Sequence, residues 1–393
     1  MYRIYLKKNE EKRLLGGESW VYANEAAKTE SDEGTKNGDL GAVYSSDGRF
    51  LGKGRVNHLS KILVRIFLYG EDDVPDYNFY LRTIKKADDY RRRLGYDNCY
   101  RAVFAESDGL PGLIVDKYGD LLSVQILTLG METDRELILD ALTEIYKPRG
   151  IYERSDAEVR KKEGLALRTG ILRGDFDPVT VIEENGVKVI ADLENGQKTG
   201  YFLDQKENRL AVRRYSKGAD VLDCFCNAGG FSLNAAAGGA KSVVAADISE
   251  KALADVRRAA ELNGFENIIK TECCDVFELL RRYKAEGRQF DTVILDPPAF
   301  CKSASDVPNA LRGYRDINIL GMKLVRPGGF LVSASCTHFV TMPMFENMLR
   351  EAARASGKTV RVSEIKTQAP DHPACFSAQE SAYLKFYVLN LLS

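Results

Sequence analysis

Hydrophobic and polar positions alternate in different ways along the chain, and each change marks a predicted region. Met1–Lys8 alternates with the period of a strand, and Gly41–Tyr44 and Ile62–Phe67 are further short β-like stretches. Turns such as Asn37-Gly38-Asp39, whose residues tolerate positive φ, separate these stretches. The pattern predicts a small β-barrel over residues 1–72.

A second pattern follows the acidic break Glu71–Asp76. Tyr80–Leu94 has the spacing of a helix, and Tyr100–Phe104 and Leu121–Leu127 are strand-like. We therefore predict a central α+β domain over residues 73–178.

The third region, residues 179–393, alternates strand-like and helix-like segments after a hairpin-like turn at Glu184-Asn185-Gly186. The strand-like runs are Asp220–Phe225, Ser242–Asp247, Ile268–Asp275, Asp291–Asp296 and Gly329–Ser335. Such alternation is typical of an α/β, Rossmann-like, doubly wound parallel sheet, which binds ligands at the carboxyl ends of its strands.

Composition limits the class of protein. The chain is 44% hydrophobic and 29% charged, which is typical of a soluble globular protein, and it has no apolar run near the roughly 18 residues of a membrane span. Its first residues lack the features of a signal peptide. We expect a cytoplasmic protein without a membrane partner.

The cysteines predict thiols rather than disulfides or a metal site. In a large chain without an export signal, the eight cysteines are expected to be reduced. Neither Cys224-x-Cys226 nor Cys273-Cys274 has the spacing of a zinc site. We therefore predict no metal.

A formal net charge of −1 excludes a basic field over the whole molecule, so binding to a polyanion requires local patches. Two basic clusters are candidates, Lys85–Arg93 and Arg154–Lys162. Each is either an RNA-binding surface or an ordinary solvated face, because charged runs are common on surfaces.

The turn after the first strand of the alternating region indicates the cofactor. Asp223–Phe231 lacks the G-x-G-x-x-G spacing, which disfavours a nicotinamide dinucleotide and leaves S-adenosylmethionine as the prediction. Asp247 would bind the ribose hydroxyls and Asp275 the adenine amine, unless each acid only caps the following helix. From the turn itself we assign to the cofactor site Asp223, Phe225, Asn227 and Gly229.

Asp296-Pro297-Pro298-Ala299-Phe300 suits a base flipped out of its stack. Asp296 would accept from an exocyclic amine or hold a protonated ring nitrogen, the two prolines would support the base, and Phe300 would stack on it. The alternative is that the prolines only end a strand.

Cys336 follows an apolar strand and is predicted to lie beside Asp296 at the same edge of the sheet. A lone cysteine is usually a small buried hydrophobe, but at a ligand edge it is a candidate nucleophile. Carbon 5 of a pyrimidine requires a thiolate added at carbon 6 before it can attack a methylsulfonium, whereas amine methylation requires no cysteine.

Several motifs together resemble a known family. They are Glu106–Leu113, Tyr152–Asp156, Arg160–Gly164, Gly196–Gln205, Asp296–Pro298, Arg312–Asn318, Ser335-Cys336 and Asp371–Pro373. Over nearly its whole length the chain resembles the bacterial 23S ribosomal RNA cytosine-C5 methyltransferases of the large-subunit methyltransferase I family. The resemblance implies an N-terminal PUA barrel, a central α+β domain and a C-terminal methyltransferase domain.

The resemblance also implies roles for individual residues. Cys336 would be the nucleophile, and Phe202 and Asp204 would help to enclose the cofactor together with the acids named above, Asp296 included. Many RNA cytosine-C5 methyltransferases have a second cysteine where this chain has Ala299, and Cys301 comes two positions later. Product release assisted by a second cysteine is therefore in question.

The implied partner is RNA, either 23S ribosomal RNA or a large-subunit assembly intermediate, and the sequence leaves the oligomeric state open, with a homodimer as one alternative. Two other functions stay open at this point. One is methylation of a guanine nitrogen in ribosomal RNA, which requires no thiol. The other is an RNA-binding factor whose methyltransferase fold is vestigial.

Overall fold

The computed structural model describes residues 1–301, 303–376 and 381–393. The described chain divides into two compact units, each built from several stretches of sequence. Unit 1 comprises Met1–Thr180, Asp192–Phe202 and Pro370–Ser381, and unit 2 comprises Val181–Ala191, Leu203–Ala369 and Ala382–Ser393.

Unit 1 begins with small sheets. Their elements are β1 (Tyr2–Leu6), α1 (Glu11–Leu15), β2 (Trp20–Tyr22), β3 (Ala26–Ser31), β4 (Leu40–Tyr44), β5 (Phe50–Arg55) and β6 (Ile62–Arg65). One sheet has the order β3-β1-β4-β5, and β2 pairs with β6. Alternate residues of β1, namely Tyr2, Ile4 and Leu6, enter the core, which confirms the strand period of the sequence.

The remainder of unit 1 contains a sheet covered by helices. Its elements are α2 (Tyr77–Arg93), β7 (Cys99–Phe104), β8 (Leu113–Tyr118), β9 (Leu121–Ile126), α3 (Leu129–Thr133), α4 (Arg135–Tyr146), β10 (Gly150–Ser155) and β11 (Arg168–Arg173), with strand order β11-β10-β9-β8-β7. The Asp76 carboxylate caps α2 by accepting from the Phe79 amide. Helix α2 buries Tyr80 and Ile84 in the same core as Leu142 of α4.

Unit 2 contains most of a strand pair followed by a large sheet with its helices. The elements are β12 (Val179–Glu184), β13 (Val187–Asp192), α5 (Lys206–Val212), β14 (Asp220–Cys224), α6 (Gly230–Ala237), β15 (Ser242–Asp247), α7 (Glu250–Asn263), β16 (Ile269–Cys273), α8 (Val276–Ala285), β17 (Phe290–Leu295), α9 (Val307–Leu324), β18 (Val325–Ser335), α10 (Met342–Ser356), β19 (Val360–Lys366) and β20 (Lys385–Leu391). The large sheet has the order β16-β15-β14-β17-β18-β20-β19.

The large sheet is mixed, and its parallel part confirms the predicted α/β, Rossmann-like fold class. Strands β16, β15, β14, β17 and β18 run parallel, whereas β20 is antiparallel to both β18 and β19. Antiparallel neighbours such as β18 with β20 and β19 with β20 do not require the crossover helix that connects neighbouring parallel strands. The parallel strands still bring their carboxyl ends to one edge, as the Rossmann-like prediction requires.

Among the described residues, no helix combines the length and the apolar character that a bilayer crossing requires.

Candidate active site

The predicted acids meet at the carboxyl edge of the parallel strands. Asp223 is the second-last residue of β14, Asp247 ends β15 and Asp296 directly follows β17, and these three strands are neighbours in the sheet. Asp275 lies two residues beyond β16, where it caps α8 by accepting from the Glu278 amide at 3.0 Å. The capping alternative therefore describes Asp275, and its adenine role stays a prediction.

Asp223 is a carboxylic acid with an unused oxygen in a fully buried position. Its Oδ2 accepts a hydrogen bond from Ser232 Oγ at 2.6 Å, but among the described residues its Oδ1 has no partner. Burial raises the pKa of Asp223 to about 7, and the nearby charges of Asp296 and Asp247 act in the same direction. A buried acceptor without a donor costs free energy, so this oxygen is suited to receive a cation.

The turn between β14 and α6 has an unusual backbone. Phe225 and Asn227 adopt φ values of 62° and 48°, and Gly229 has a φ of 76°. A Cβ at Gly229 would approach Val256 Cγ2 to 2.8 Å, so glycine is required there for space as well as for conformation. Residues other than glycine that adopt left-handed φ values cluster at functional sites, where the surrounding structure holds the strained backbone in place.

Asp247 fixes this turn from the neighbouring strand. Its Oδ2 accepts from the Asn227 amide at 2.9 Å and its Oδ1 from the Ser249 amide at 2.9 Å, while Ser249 caps α7 as predicted. Each carboxylate oxygen accepts more than one hydrogen bond, so Asp247 retains capacity for ribose hydroxyls.

These groups fit S-adenosylmethionine. The orphaned Asp223 oxygen is suited to the ammonium of its methionine part, and the oxygens of Asp247 are suited to its ribose. The other two predicted cofactor residues, Asp204 and Phe202, belong to different units. Asp204 is buried in unit 2, where its Oδ2 accepts from Tyr383 Oη at 2.7 Å, whereas Phe202 belongs to unit 1, with Lys198 Nζ 4.6 Å from its ring centre.

Gln205 is a site residue to which sequence reasoning gave no role. Its Nε2 donates to Asp296 Oδ1 at 3.0 Å, and its Oε1 accepts from Asn208 Nδ2 at 2.6 Å. The glutamine thus fixes the orientation of the Asp296 carboxylate. The signal was present, because Gln205 ends the Gly196–Gln205 motif.

The residues after Asp296 have unequal environments. Pro297 is buried and Pro298 is exposed. The Phe300 ring lies 4.7 Å from the ring of Tyr314 on α9 and 6.3 Å from that of Phe277, centre to centre. Phe300 is half-buried, so its predicted stacking on a base stays a prediction.

Cys336 directly follows β18 and is half-buried. Because Leu295 of β17 is in register with Ser333 of β18, Cys336 and Asp296 extend from the same ends of adjacent parallel strands. Cys301 is different, since it is only 4% exposed in a hydrophobic core and its thiol donates to the Ser303 carbonyl at 2.8 Å. The two cysteines therefore occupy contrasting environments, one at the strand edge and one in the core.

The second basic cluster of unit 1, Arg154–Lys162, is half internal, whereas Lys85, Lys86, Arg92 and Arg93 of the first cluster are exposed. Arg154 is buried and donates to the carbonyls of Leu193 and Gly196 at 2.9 and 2.8 Å. Arg160 is 1% exposed and pairs with Glu132 at 2.9 Å. These two arginines have structural partners, so within the second cluster the exposed Lys161 and Lys162 are the members available to a polyanion.

Within the part of the chain that the structure describes, no group of three or more His, Cys, Asp or Glu side chains is arranged to hold a metal ion.

Solved structures share the fold. A putative S-adenosylmethionine-dependent methyltransferase from Streptococcus mutans covers 99% of this chain and 100% of its own at a TM-score of 0.82 and 20% identity. A putative methyltransferase solved in complex with S-adenosylhomocysteine has a TM-score of 0.83 at 20% identity, with the same coverage. At this identity the likeness concerns the fold.

Sequence comparisons are more specific. Residues 169–387 match the family model of S-adenosylmethionine-dependent methyltransferases, and residues 4–68 match a PUA-like domain. The proteins named ribosomal RNA large subunit methyltransferase I from Aeromonas salmonicida and Aliivibrio fischeri are 43% and 40% identical, over 98% and 99% of both chains. The cofactor is therefore S-adenosylmethionine, and the chain belongs to the ribosomal RNA large subunit methyltransferase I family.

Proposed function

We propose that this protein methylates carbon 5 of a cytosine in large-subunit ribosomal RNA, with Cys336 as the nucleophile. The observation that carries the proposal is the common strand edge of Cys336 and Asp296, at the ends of the adjacent parallel strands β18 and β17. A thiol at that edge is what carbon methylation of a pyrimidine requires and what nitrogen methylation does not.

The substrate class follows from the relatives, whose name specifies ribosomal RNA of the large subunit. The PUA-like match over residues 4–68 is consistent with an RNA substrate, either the free 23S RNA or an assembly intermediate. The formal net charge of −1 requires that local groups, together with shape, provide the affinity.

When bound, S-adenosylmethionine supplies an electrophilic methyl group. The Cys336 thiolate adds to carbon 6 of the cytosine, and the electron pair of the carbon 5–carbon 6 double bond becomes available at carbon 5 to take that methyl group. Loss of the carbon 5 proton then restores the double bond as the sulfur–carbon bond breaks, and the thiolate is regenerated. One proton is therefore released for each methyl group that is transferred.

Asp296 would orient the base during this reaction. A carboxylate accepts from the exocyclic amine and stabilises a protonated ring nitrogen, which makes carbon 6 more electrophilic. Gln205, which donates to Asp296 Oδ1 at 3.0 Å, limits the rotation of that carboxylate. The Pro297-Pro298 pair gives the base a backbone with restricted φ and without amide donors.

The test is Cys336→Ala, assayed with large-subunit RNA from cells that lack the protein. We expect methyl transfer to fall by at least about 10³-fold, while calorimetric binding of S-adenosylmethionine is unchanged. Mass spectrometry of the nucleosides from wild-type reactions should identify 5-methylcytosine. RNA that contains 5-fluorocytosine should form a stable adduct with the wild-type protein, because the fluorine cannot leave as a proton does.

Cys301→Ala is the matched control. Its thiol is buried and donates to a carbonyl, so this variant should retain turnover and release its product. Undiminished turnover by Cys336→Ala, or methylguanosine as the product, would refute the proposed chemistry.

A further inference from the structure

Strand β20 begins with a buried charge in an otherwise apolar sequence. Lys385 precedes Phe386-Tyr387-Val388-Leu389 and is only 4% exposed. In the antiparallel pairing of β18 with β20, Lys385 is in register with Ser335, the residue before Cys336. The two side chains of such a pair point to the same face of the sheet, which brings the lysine to the end of β18.

The ammonium of Lys385 has neutral hydrogen-bond partners. Its Nζ donates to the carbonyl of Thr337 and to that of Tyr383, the latter at 2.7 Å. Among the described residues it forms no ion pair with a carboxylate. Lys385 pairs with Ser335 across the two strands and donates to the Thr337 carbonyl. Its ammonium group therefore lies alongside the segment that contains Cys336. A buried ammonium without a carboxylate is costly unless another anion is present.

Burial lowers the pKa of Lys385 to about 8, and the thiolate form of Cys336 acts in the opposite direction and raises it. The register of β18 with β20 and the contact with the Thr337 carbonyl bring this amine to the segment that carries the thiol. An amine with a pKa in this range exchanges a proton readily with a thiol, whose ordinary pKa is about 8.5.

Several hydroxyl groups also lie near this segment, and His338 follows Cys336 by two residues. From α9, Tyr314 Oη accepts from Ser335 Oγ at 3.0 Å and lies 3.2 Å from Thr337 Oγ1. Burial raises the pKa of Tyr314, so the phenol stays neutral. Farther along β20, Tyr387 donates to Glu346 of α10 at 2.8 Å.

We propose that Lys385 is a positioning residue that holds Cys336 as a thiolate, by accepting the Sγ proton on Nζ and remaining beside the sulfur as an ammonium. This inference rests on the proposed role of Cys336 as nucleophile. The proton moves from Sγ to Nζ, and the electron pair stays on sulfur until it forms the bond to carbon 6. When that bond breaks the pair returns to sulfur, so Lys385 keeps its proton through the cycle and the released proton comes from carbon 5.

The test measures the reactivity of the Cys336 thiol directly, without RNA. The full chain is alkylated with iodoacetamide between pH 6 and pH 10, and the modified Cys336 peptide is quantified by mass spectrometry. For Lys385→Met we expect alkylation at pH 7 to slow by about tenfold or more and the midpoint of the pH profile to rise, since one pKa unit is a tenfold change in thiolate fraction. The kcat for methyl transfer should fall to a similar extent, with the KM for S-adenosylmethionine unchanged.

Two further variants control for the fold. Lys385→Gln keeps an uncharged N–H donor beside the strand end but carries no charge, so we expect it to reproduce the shift of Lys385→Met, including where the methionine variant does not fold. Lys366→Met removes a half-buried lysine of β19 near Glu364 and should leave the Cys336 profile unchanged.

The outcomes distinguish the two proposals. An unchanged alkylation profile in Lys385→Gln overturns the role of Lys385, and if Cys336→Ala is inactive the cytosine chemistry still stands. A shifted profile supports the thiolate–ammonium pair. If Cys336→Ala nevertheless retains turnover, the proposed function fails although the pair exists.

Discussion

The charged side chains buried in unit 1 and those at the strand edge of unit 2 differ in how completely they are paired. In unit 1, Arg101 donates two hydrogen bonds to Asp116 at 2.8 and 2.7 Å, and Arg91 forms a similar pair with Asp108 at 2.6 and 2.7 Å. At the strand edge of unit 2, the Asp223 Oδ1 has no partner among the described residues.

The comparison shows that the consequence of burying a charged side chain depends on whether it has a charged partner. Where a guanidinium meets a carboxylate with two hydrogen bonds, each charge is neutralised by the other, and removing one partner leaves a costly unpaired charge behind. Where a buried ionisable group lacks its counter-ion, its pKa moves towards neutrality, as for Asp223, and the site is prepared for a ligand or a reacting group.

The largest effect should come from breaking a complete pair. Arg101→Met leaves Asp116 fully buried without its guanidinium, and we expect the free energy of unfolding to fall by about 3–5 kcal/mol. Urea denaturation measures this change. The double variant Arg101→Met with Asp116→Leu should recover most of the loss, and a single variant as stable as the wild type would contradict the assigned role of the pair.

Asp223→Asn tests the unpaired acid. The raised pKa predicts that the affinity of the wild-type protein for S-adenosylmethionine falls as the pH drops through about 7, because the carboxyl becomes protonated and no longer attracts the ammonium. We expect the variant to bind about tenfold or more weakly at pH 8 and to show a flat profile. Calorimetry at pH 6 and pH 8 measures the affinity of both proteins for S-adenosylmethionine. An equal pH dependence in the two proteins would contradict the assigned role of Asp223.

The same substitution should affect folding in the opposite direction. A carboxyl whose folded pKa exceeds its unfolded value contributes stability that is present at low pH and is lost as the pH rises towards about 7. The cofactor-free Asp223→Asn variant should therefore melt at a higher temperature than the wild type at pH 8. A lower melting temperature would indicate that the ionised form is stabilised by the protein.

Gly229→Ala should have an intermediate effect. Its φ of 76° and the predicted 2.8 Å approach to Val256 combine conformational strain with a steric clash, for which we expect a loss of about 1–3 kcal/mol. Gly264→Ala is the matched control, because Gly264 has a φ of 72° but nothing within 4 Å of its added Cβ. Thermal unfolding should show a smaller loss for the control, and equal losses would exclude the clash.

The smallest effect on stability is expected at the exposed end of the second basic cluster. Lys161→Ala with Lys162→Ala should change the free energy of unfolding by less than about 0.5 kcal/mol. If these lysines contact phosphate, RNA affinity falls and its salt dependence becomes less steep. Filter binding at several salt concentrations measures both, and an unchanged salt slope would exclude the contact.

The sequence predicted the parallel strands well because most are short apolar runs, and β15 and β17 end at or directly before an acid. The Ser249 cap and the turn at Phe225–Gly229 were also visible, since they depend on local residue types. The direction of β20 was not predicted, because local periodicity does not specify the partner of a strand.

The contacts of the site were harder to predict than its strands. Asp204 and Tyr383 are distant in sequence, and so are Gln205 and Asp296, so that their hydrogen bonds depend on tertiary structure. The second basic cluster was partly misleading for the same reason, because Arg154 and Arg160 are buried and donate to carbonyls in remote segments of unit 1.

The interior position of β20 has a consequence for the order of folding. This strand follows β19 in sequence but is inserted between β18 and β19, so those two strands cannot complete their native pairing until β20 arrives. The strands that carry Asp223 and Asp247 are not subject to this delay. On the proposed role of Lys385, a chain in which β20 has not yet paired with β18 lacks the amine beside Cys336, so methyl transfer would depend on completion of this sheet.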